Sequence, residues 1–324
     1  MIKINRSTMV SFNYNISNTY MKLNTTKLII LIVLISIKFK AQQEVQNTFF
    51  QFNSVFNNPA YSGSREALSV ILNSRMQWLK WDGAPRSSVL TIHSPLNNQK
   101  IGTGISVVSD ALGATRKNSV YGNVSYKVNV TKTSKLSLGF HSGVDFIRND
   151  FSNLIIIDQS DPVRTSNNFD RNMLNIGASI YFYSNKFYTA LSCPKLLENS
   201  LSIDNSFTSE QVRHYYYLLG YVYESGLWSF KPALQVRYSQ SAPISVDLNL
   251  STYFNRQISF SLFYRNNSDI GANVVYHFNE QFYTGYAYDL SVNNMRKFNI
   301  GSHEIMIGFD FNKKNKSFLT PRYF

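Results

Sequence analysis

From Ala67 onward apolar and polar residues alternate singly, and the alternation returns again and again along the chain. In 134–146, Leu136, Leu138, Phe140, Val144 and Phe146 fall on one face, with Ser137, Gly139, His141, Gly143 and Asp145 on the other. Val246, Leu248, Leu250 and Phe254 stand opposite Asp247, Asn249 and Ser251, and Ile258, Phe260, Leu262 and Tyr264 opposite Ser259, Ser261 and Arg265. His303, Ile305, Ile307, Phe309 and Phe311 alternate with Glu304, Gly308 and Asp310. The period predicts about fourteen strands, near 67–77, 86–93, 101–109, 118–130, 134–146, 174–183, 187–193, 213–223, 228–239, 245–254, 257–266, 269–277, 281–290 and 302–311. Many approach the roughly 9 to 11 residues that a tilted strand needs to cross a bilayer. Links such as "NRQ" (255–257) and "NNSD" (266–269) are very short, whereas 147–173 and 194–212 are long. Short turns at one rim and longer loops at the other mark an outer-membrane barrel.

A soluble sandwich also alternates, so the identity of the polar face decides. A water-facing sheet carries Lys and Glu, yet here Ser, Asn, Gly, Tyr and isolated charges dominate, as in a wet barrel lumen. Composition agrees: 15% aromatic and 16% charged residues, against about 25% charged in soluble domains. Tyr215, Tyr216, Tyr217, Tyr221 and Tyr223, then Tyr283, Tyr286 and Tyr288, are expected at lipid headgroups. The predicted fold is all-β, a transmembrane antiparallel up-and-down barrel embedded in outer-membrane lipid.

The apolar run "LIILIVLISI" (28–37) follows Lys22 and Lys27 and precedes Ala41. It is too short for a spanning helix, which needs about 20 residues. It reads as a signal peptide starting at Met21, with residues 1–20 an over-extended start and cleavage after Ala41. The expected organisation is a leader at 21–41, an N-terminal segment at 42–66, the barrel at 67–312 and a tail at 313–324. The first 41 residues hold six Lys or Arg and no acid, so the net charge of +13 falls to +7 after cleavage (13 minus 6). The remaining basic residues are scattered apart from "KKNK" (313–316), which excludes a nucleic-acid footprint. Cys193 stands alone and forms no intramolecular disulfide.

Catalytic and ligand signals are thin. "GTG" (102–104) lacks the third glycine of a dinucleotide fingerprint, since Val107 occupies its place; it reads as a strand whose small residues leave room for a plug or a partner. His93-Ser94 and His141-Ser142 invite a lipid-hydrolase reading, but neighbours on a strand face opposite ways. His214, His277 and His303 lack ligand spacing, and no cofactor or metal is expected. The Asp-rich stretch 158–172 lacks the glycine and glutamate of an EF-hand and reads as a solvated loop; the preceding apolar run Leu154–Ile157 reads as a strand extending beyond the membrane, with a partner-binding edge as the alternative. Arg75, Arg237, Arg265, Asp145, Asp247 and Asp310 are possible members of a porin constriction.

Two turn signals flank the first strand: "NPAYSGS" (58–64) before it and "WDGAP" (81–85) after it. Together with Arg75, Gln77 and Trp78, "IHSPL" (92–96), "GTGISVVSDALGATR" (102–116), "LGFHSGVDF" (138–146) and "LNIGASIYFYSNKFYTALS" (174–192), they resemble the PorP/SprF family. That is a family of outer-membrane proteins of the type IX secretion system of Bacteroidetes. The resemblance implies a non-enzymatic barrel of about fourteen strands that works with type IX secretion components. It also implies a possible dedicated partnership with the C-terminal domain of a large secreted surface adhesin. Asn58, Pro59, Arg75, Trp78, Asp82 and Gly83 are the candidate motif and partner-interface residues, with shaping of the first hairpin as their alternative role. Residues 44–58 are expected to lie free inside or beneath the barrel. A passive diffusion porin and an outer-membrane esterase or phospholipase are the competing functions.

Overall fold

The computed structural model describes residues 44–96, 99–150, 169–204, 207–240 and 242–311. The expected leader, the tail at 313–324, the Leu154–Ile157 run and most of the Asp-rich stretch lie outside them. The strands are β1 (Leu68–Met76), β2 (Arg86–Pro95), β3 (Ile101–Leu112), β4 (Thr115–Asn129), β5 (Ser134–Asn149), β6 (Phe169–Ser184), β7 (Phe187–Cys193), β8 (Ser200–Asp204) and β9 (Phe207–Glu210). They continue with β10 (His214–Tyr221), β11 (Tyr223–Ser225), β12 (Trp228–Ser239), β13 (Ala242–Phe254), β14 (Ile258–Arg265), β15 (Asp269–His277), β16 (Phe282–Ser291) and β17 (Ser302–Phe311).

All but β8 and β9 belong to one antiparallel sheet. Its first and last strands pair from Leu68↔Phe311 to Met76↔His303, and β10 pairs with β12, so the sheet closes on itself. Beyond Val222, β11 prolongs β10, and the wall is a ring of fourteen strands. Closure removes the unpaired strand edges that a bilayer core does not tolerate.

The two faces separate as the period predicts. Leu138, Phe140, Leu248, Leu250, Phe260 and Ile305 point outward, while Ser137, His141, Asp145, Asp247, Ser261 and Glu304 are buried inside. Tyr216 and Tyr283, expected at the headgroups, instead face inward and are buried, because their parity on the strand sets their direction. Residues 169–172, expected in a loop, belong to β6, and the long link after β7 contains the separate hairpin β8–β9.

The connections 96–100, 130–133, 185–186, 226–227, 255–257 and 278–281 share one rim, where β1 begins and β17 ends. The long connections 77–85, 194–213 and 292–301 share the other, where β5 ends and β6 begins. The "NNSD" turn also lies on this long-loop rim, together with 113–114 and 240–241, so short turns occur at both.

An eight-stranded barrel is just narrow enough for its own side chains to fill. Fourteen strands enclose more space, and the N-terminal segment occupies it. Val45, Phe49, Phe50, Phe52, Val55, Ala60 and Tyr61 are all buried, and most polar residues between them are buried as well. Glu44 meets Lys195, in a connection of the long-loop rim, whereas Glu66 meets Lys135 at the opposite end of β5. The segment therefore runs the height of the lumen before β1 starts, correcting the expectation that 44–58 lies free.

Candidate functional site: the plugged lumen and its outer rim

The plug folds through short turns. The Phe52 and Asn53 amides donate to Phe49 O, those of Asn57 and Asn58 to Ser54 O, and Tyr61 N to Asn58 O. Pro59 opens the 3-10 turn Pro59–Tyr61, where its fixed φ suits the first position and its missing N–H is not needed. The plug is a wedge between two half-walls. Phe49 and Phe52 pack with Ile71, Tyr253, Val275, Tyr283 and Met306. Phe50, Val55, Ala60 and Tyr61 pack with Tyr181, Tyr183, Tyr188 and Leu218 on the other side.

The wall is shaped to receive the backbone of "NPAYSGS". Ala60 N donates to Ser179 Oγ at 2.8 Å, and Ser137 Oγ donates to Ala60 O at 2.7 Å. A Cβ on Gly139 would stand 2.0 Å from Ala60 N, and one on Gly102 would stand 2.0 Å from Ser62 O, so only glycine admits the plug at these points. Ser125 Oγ donates to Ser62 O and Lys127 Nζ to Gly63 O, both at 2.7 Å. Gly63 N donates to His93 Nδ1 at 3.1 Å, which places that ring's proton on Nε2. The stretches "NPAYSGS", "IHSPL", "GTG" and "LGFHSG" thus form one contact, between plug and wall.

Charged residues tie the plug to the remaining strands. Arg75 bonds Thr48 Oγ1 at 2.7 Å and pairs with Asp289 and Glu304, whose carboxylate also accepts from Thr48 N. Arg65 pairs with Asp310 at 3.1 Å. Arg265 is held by Asp247 and Asp269 and donates to Gln46 Oε1, while Arg237 pairs with Asp247. At the top of the plug, Lys195 bonds Glu44 at 2.8 Å and Asp145 at 3.3 Å, and Lys117 lies 3.5 Å from Glu44. Burial alone would raise the Glu44 carboxyl, but the Lys117 and Lys195 ammonium groups outweigh it and hold that carboxyl far below the usual range. The six residues expected at a porin constriction are accordingly engaged in ion pairs; Arg75 and Arg265 bind plug residues directly.

The predicted site residues divide between two places. Asn58 and Pro59 are buried in the plug, and the Asn58 side-chain amide finds no partner among the described residues. Arg75 joins plug to wall beneath the long-loop rim. Trp78, Asp82 and Gly83 lie on that rim: Trp78 has φ of 46° and its amide meets Ser302 Oγ, and exposed Gly83, with φ of 72°, accepts through its carbonyl from Gly113 N at 2.8 Å. Leu79 N donates to Gly301 O and Ile300 N to Leu79 O, so the first and last long-rim loops are stitched together. Trp81 meets Phe298 edge to face at 5.8 Å, and both remain exposed, Phe298 by 62%. The sequence reading missed Glu44, Thr48 and the Phe49, Phe50 and Phe52 cluster. Three phenylalanines in a stretch without alternation were its available signal.

Neither His-Ser pair assembles: His93 receives Gly63 N, and His141 bonds Asn123 and Pro194 O, while Ser94 Oγ meets Pro95 O. Among the described residues there is no His, Cys, Asp and Glu group able to hold a metal ion.

Residues 39–309 match the family described as "Type IX secretion system membrane protein PorP/SprF". The chain belongs to the PorP/SprF family. It is an integral outer-membrane β-barrel associated with type IX secretion. None of the curated proteins matches this PorP/SprF chain in sequence. Among solved structures, it is similar to the Ralstonia pickettii toluene transporter TbuX, with 8% identity, TM-score 0.47, and 80% and 93% of the two chains covered. It is also similar to the CymD monoaromatic hydrocarbon channel (10%, 0.48, 80% and 91%) and the Acinetobacter baumannii outer membrane protein Omp33 (8%, 0.43, 76% and 98%). Likenesses this distant bear on neither ligand nor partner of a PorP/SprF protein.

Proposed function

We propose that this protein is a non-enzymatic, plugged barrel that serves type IX secretion by binding protein partners at its long-loop rim. The partners are secretion components, the C-terminal domain of a large secreted surface adhesin, or both. The observation that carries the reading is the plug: a lumen packed along its height and crossed by buried ion pairs leaves the rim as the surface on which partners act. Trp81 and Phe298, exposed on two mutually bonded loops, supply the rigid aromatic anchors that dominate protein interfaces. Trp78, Asp82 and Gly83 shape that platform, while Asn58, Pro59 and Arg75 seat the plug beneath it.

The test is photocrosslinking from positions 81 and 298 in outer membranes, followed by identification of the adducts. A secretion component or a large surface protein is the expected product. Absence of both, combined with high steady conductance of the purified protein in a planar bilayer, would replace this reading with a diffusion porin.

A further inference from the structure

The outer wall is not uniformly convex. Across β7, β10, β12, β13 and β14 it carries a groove of about 660 Å³, inside the roughly 300 to 1,000 Å³ span of small-molecule sites. The strand register resolves it into two parallel rows. Leu219, Leu234, Leu248 and Tyr264 lie side by side in one, through the pairings Leu219↔Leu234, Leu234↔Leu248 and Leu248↔Tyr264. Pro232, Leu250 and Leu262 lie side by side in the next, which continues through Tyr221 to Phe187. Between the rows run Gly220, Ala233, Asn249 and Phe263, which are buried and turn their side chains away from the lipid.

Pro232 is unexpected in the middle of a central strand, because it donates no ladder hydrogen bond. The pairing of the β10–β11 strand with β12 is interrupted there, between Gly220↔Ala233 and Tyr223↔Phe230. A short, flat ring replaces a projecting side chain at the groove's centre. The lining offers hydrocarbon along its length and two phenols set diagonally, Tyr221 and Tyr264, the latter one residue from the end of β14 at the long-loop rim.

We propose that this groove is a specific site for one acyl chain of an outer-membrane lipid. It lies in the wall that meets hydrocarbon and spans five strands, roughly 19 Å at ~4.8 Å per strand. No charged residue lines it. A protein partner would be expected to add a polar rim around such a core, and a second copy of this chain would present the same concavity rather than a knob to fill it. The Tyr264 phenol stands where the ester or headgroup of a chain entering from the leaflet at the long-loop rim would lie.

The test uses the full-length protein in nanodiscs of phosphatidylethanolamine whose acyl chain carries a diazirine, with label mapped by peptide mass spectrometry. Labelling of the outward residues of β10 and β12–β14 should exceed that of the outward residues of β3–β5 by about tenfold, the preference that ~1.4 kcal/mol gives. Leu250→Trp, which fills the groove, should abolish the excess and leave β3–β5 unchanged. Pro232→Leu serves as a second filling variant if the first fails to fold. Equal labelling of both walls, or an excess that survives both substitutions, overturns the site. So does a wild-type dimer that Leu250→Trp dissociates, since the occupant would then be a second copy.

Discussion

Replacing Gly139 by alanine adds a single methyl group at the point where wall and plug backbones touch. The new carbon would lie 2.0 Å from Ala60 N, 2.3 Å from Ala60 Cα and 2.4 Å from the Pro59 carbonyl carbon, all backbone atoms that cannot rotate away. Overpacking of this kind costs about 1–3 kcal/mol. The displacement that relieves it also stretches the Ser179 and Ser137 hydrogen bonds to Ala60, about 1 kcal/mol each. The sum, about 3–5 kcal/mol, shifts the balance between seated and displaced plug by roughly a hundredfold to a few thousandfold. Purified protein in a planar bilayer reads this out directly: the wild type should be nearly silent, and Gly139→Ala should open frequently. Gly122→Ala is the control, for it lies on the adjacent strand, faces outward, and its added carbon meets nothing closer than 4.0 Å. Equal conductance and equal melting temperature for the two variants would refute the plug contact as described.

Glu44→Gln should loosen the top of the plug, and the effect should depend on pH. Because the folded carboxyl titrates below its ordinary value of 4.5, its contribution is complete above that value and is lost as pH falls toward the folded one. The melting-temperature gap between wild type and variant should therefore stay constant from pH 8 to about 5 and close below about 4.5. Arg75→Ala leaves Asp289 and Glu304 buried beside each other without their cation; the expected destabilisation is about 3–5 kcal/mol, measured by urea titration in detergent. Trp81→Ala and Phe298→Ala should change stability by no more than about 1 kcal/mol while lowering recovery of crosslinked partners, measured on the same membranes.

The wall was legible in the sequence because one face of each strand meets lipid, and a period of two is written locally. All fourteen expected strands occur, with ends shifted by a few residues in either direction. The plug was not legible, since its contacts join residues as distant as Thr48 and Glu304, and nothing in "NTFFQFN" repeats. "NPAYSGS" reads as a turn and does turn, but its turn rests inside the barrel. "GTG" was read as room for a plug or a partner, and Gly102 indeed faces Ser62. Tyr216 and Tyr283 misled because clustering in sequence says nothing of parity. The rim platform is invisible for a similar reason: Leu79 and Gly301 meet only after the first and last strands pair.

The N-terminal segment bonds the early strands from Ala60, Ser62 and Gly63, through Ser179, Ser137, Ser125 and His93. From Thr48 and Arg65 it bonds the last ones, through Asp289, Glu304 and Asp310. A plug that leaves the lumen therefore gives up its bonds to the early strands and to the last ones together. The segment acts as a cross-brace, joining through the interior strands that lie far apart around the ring.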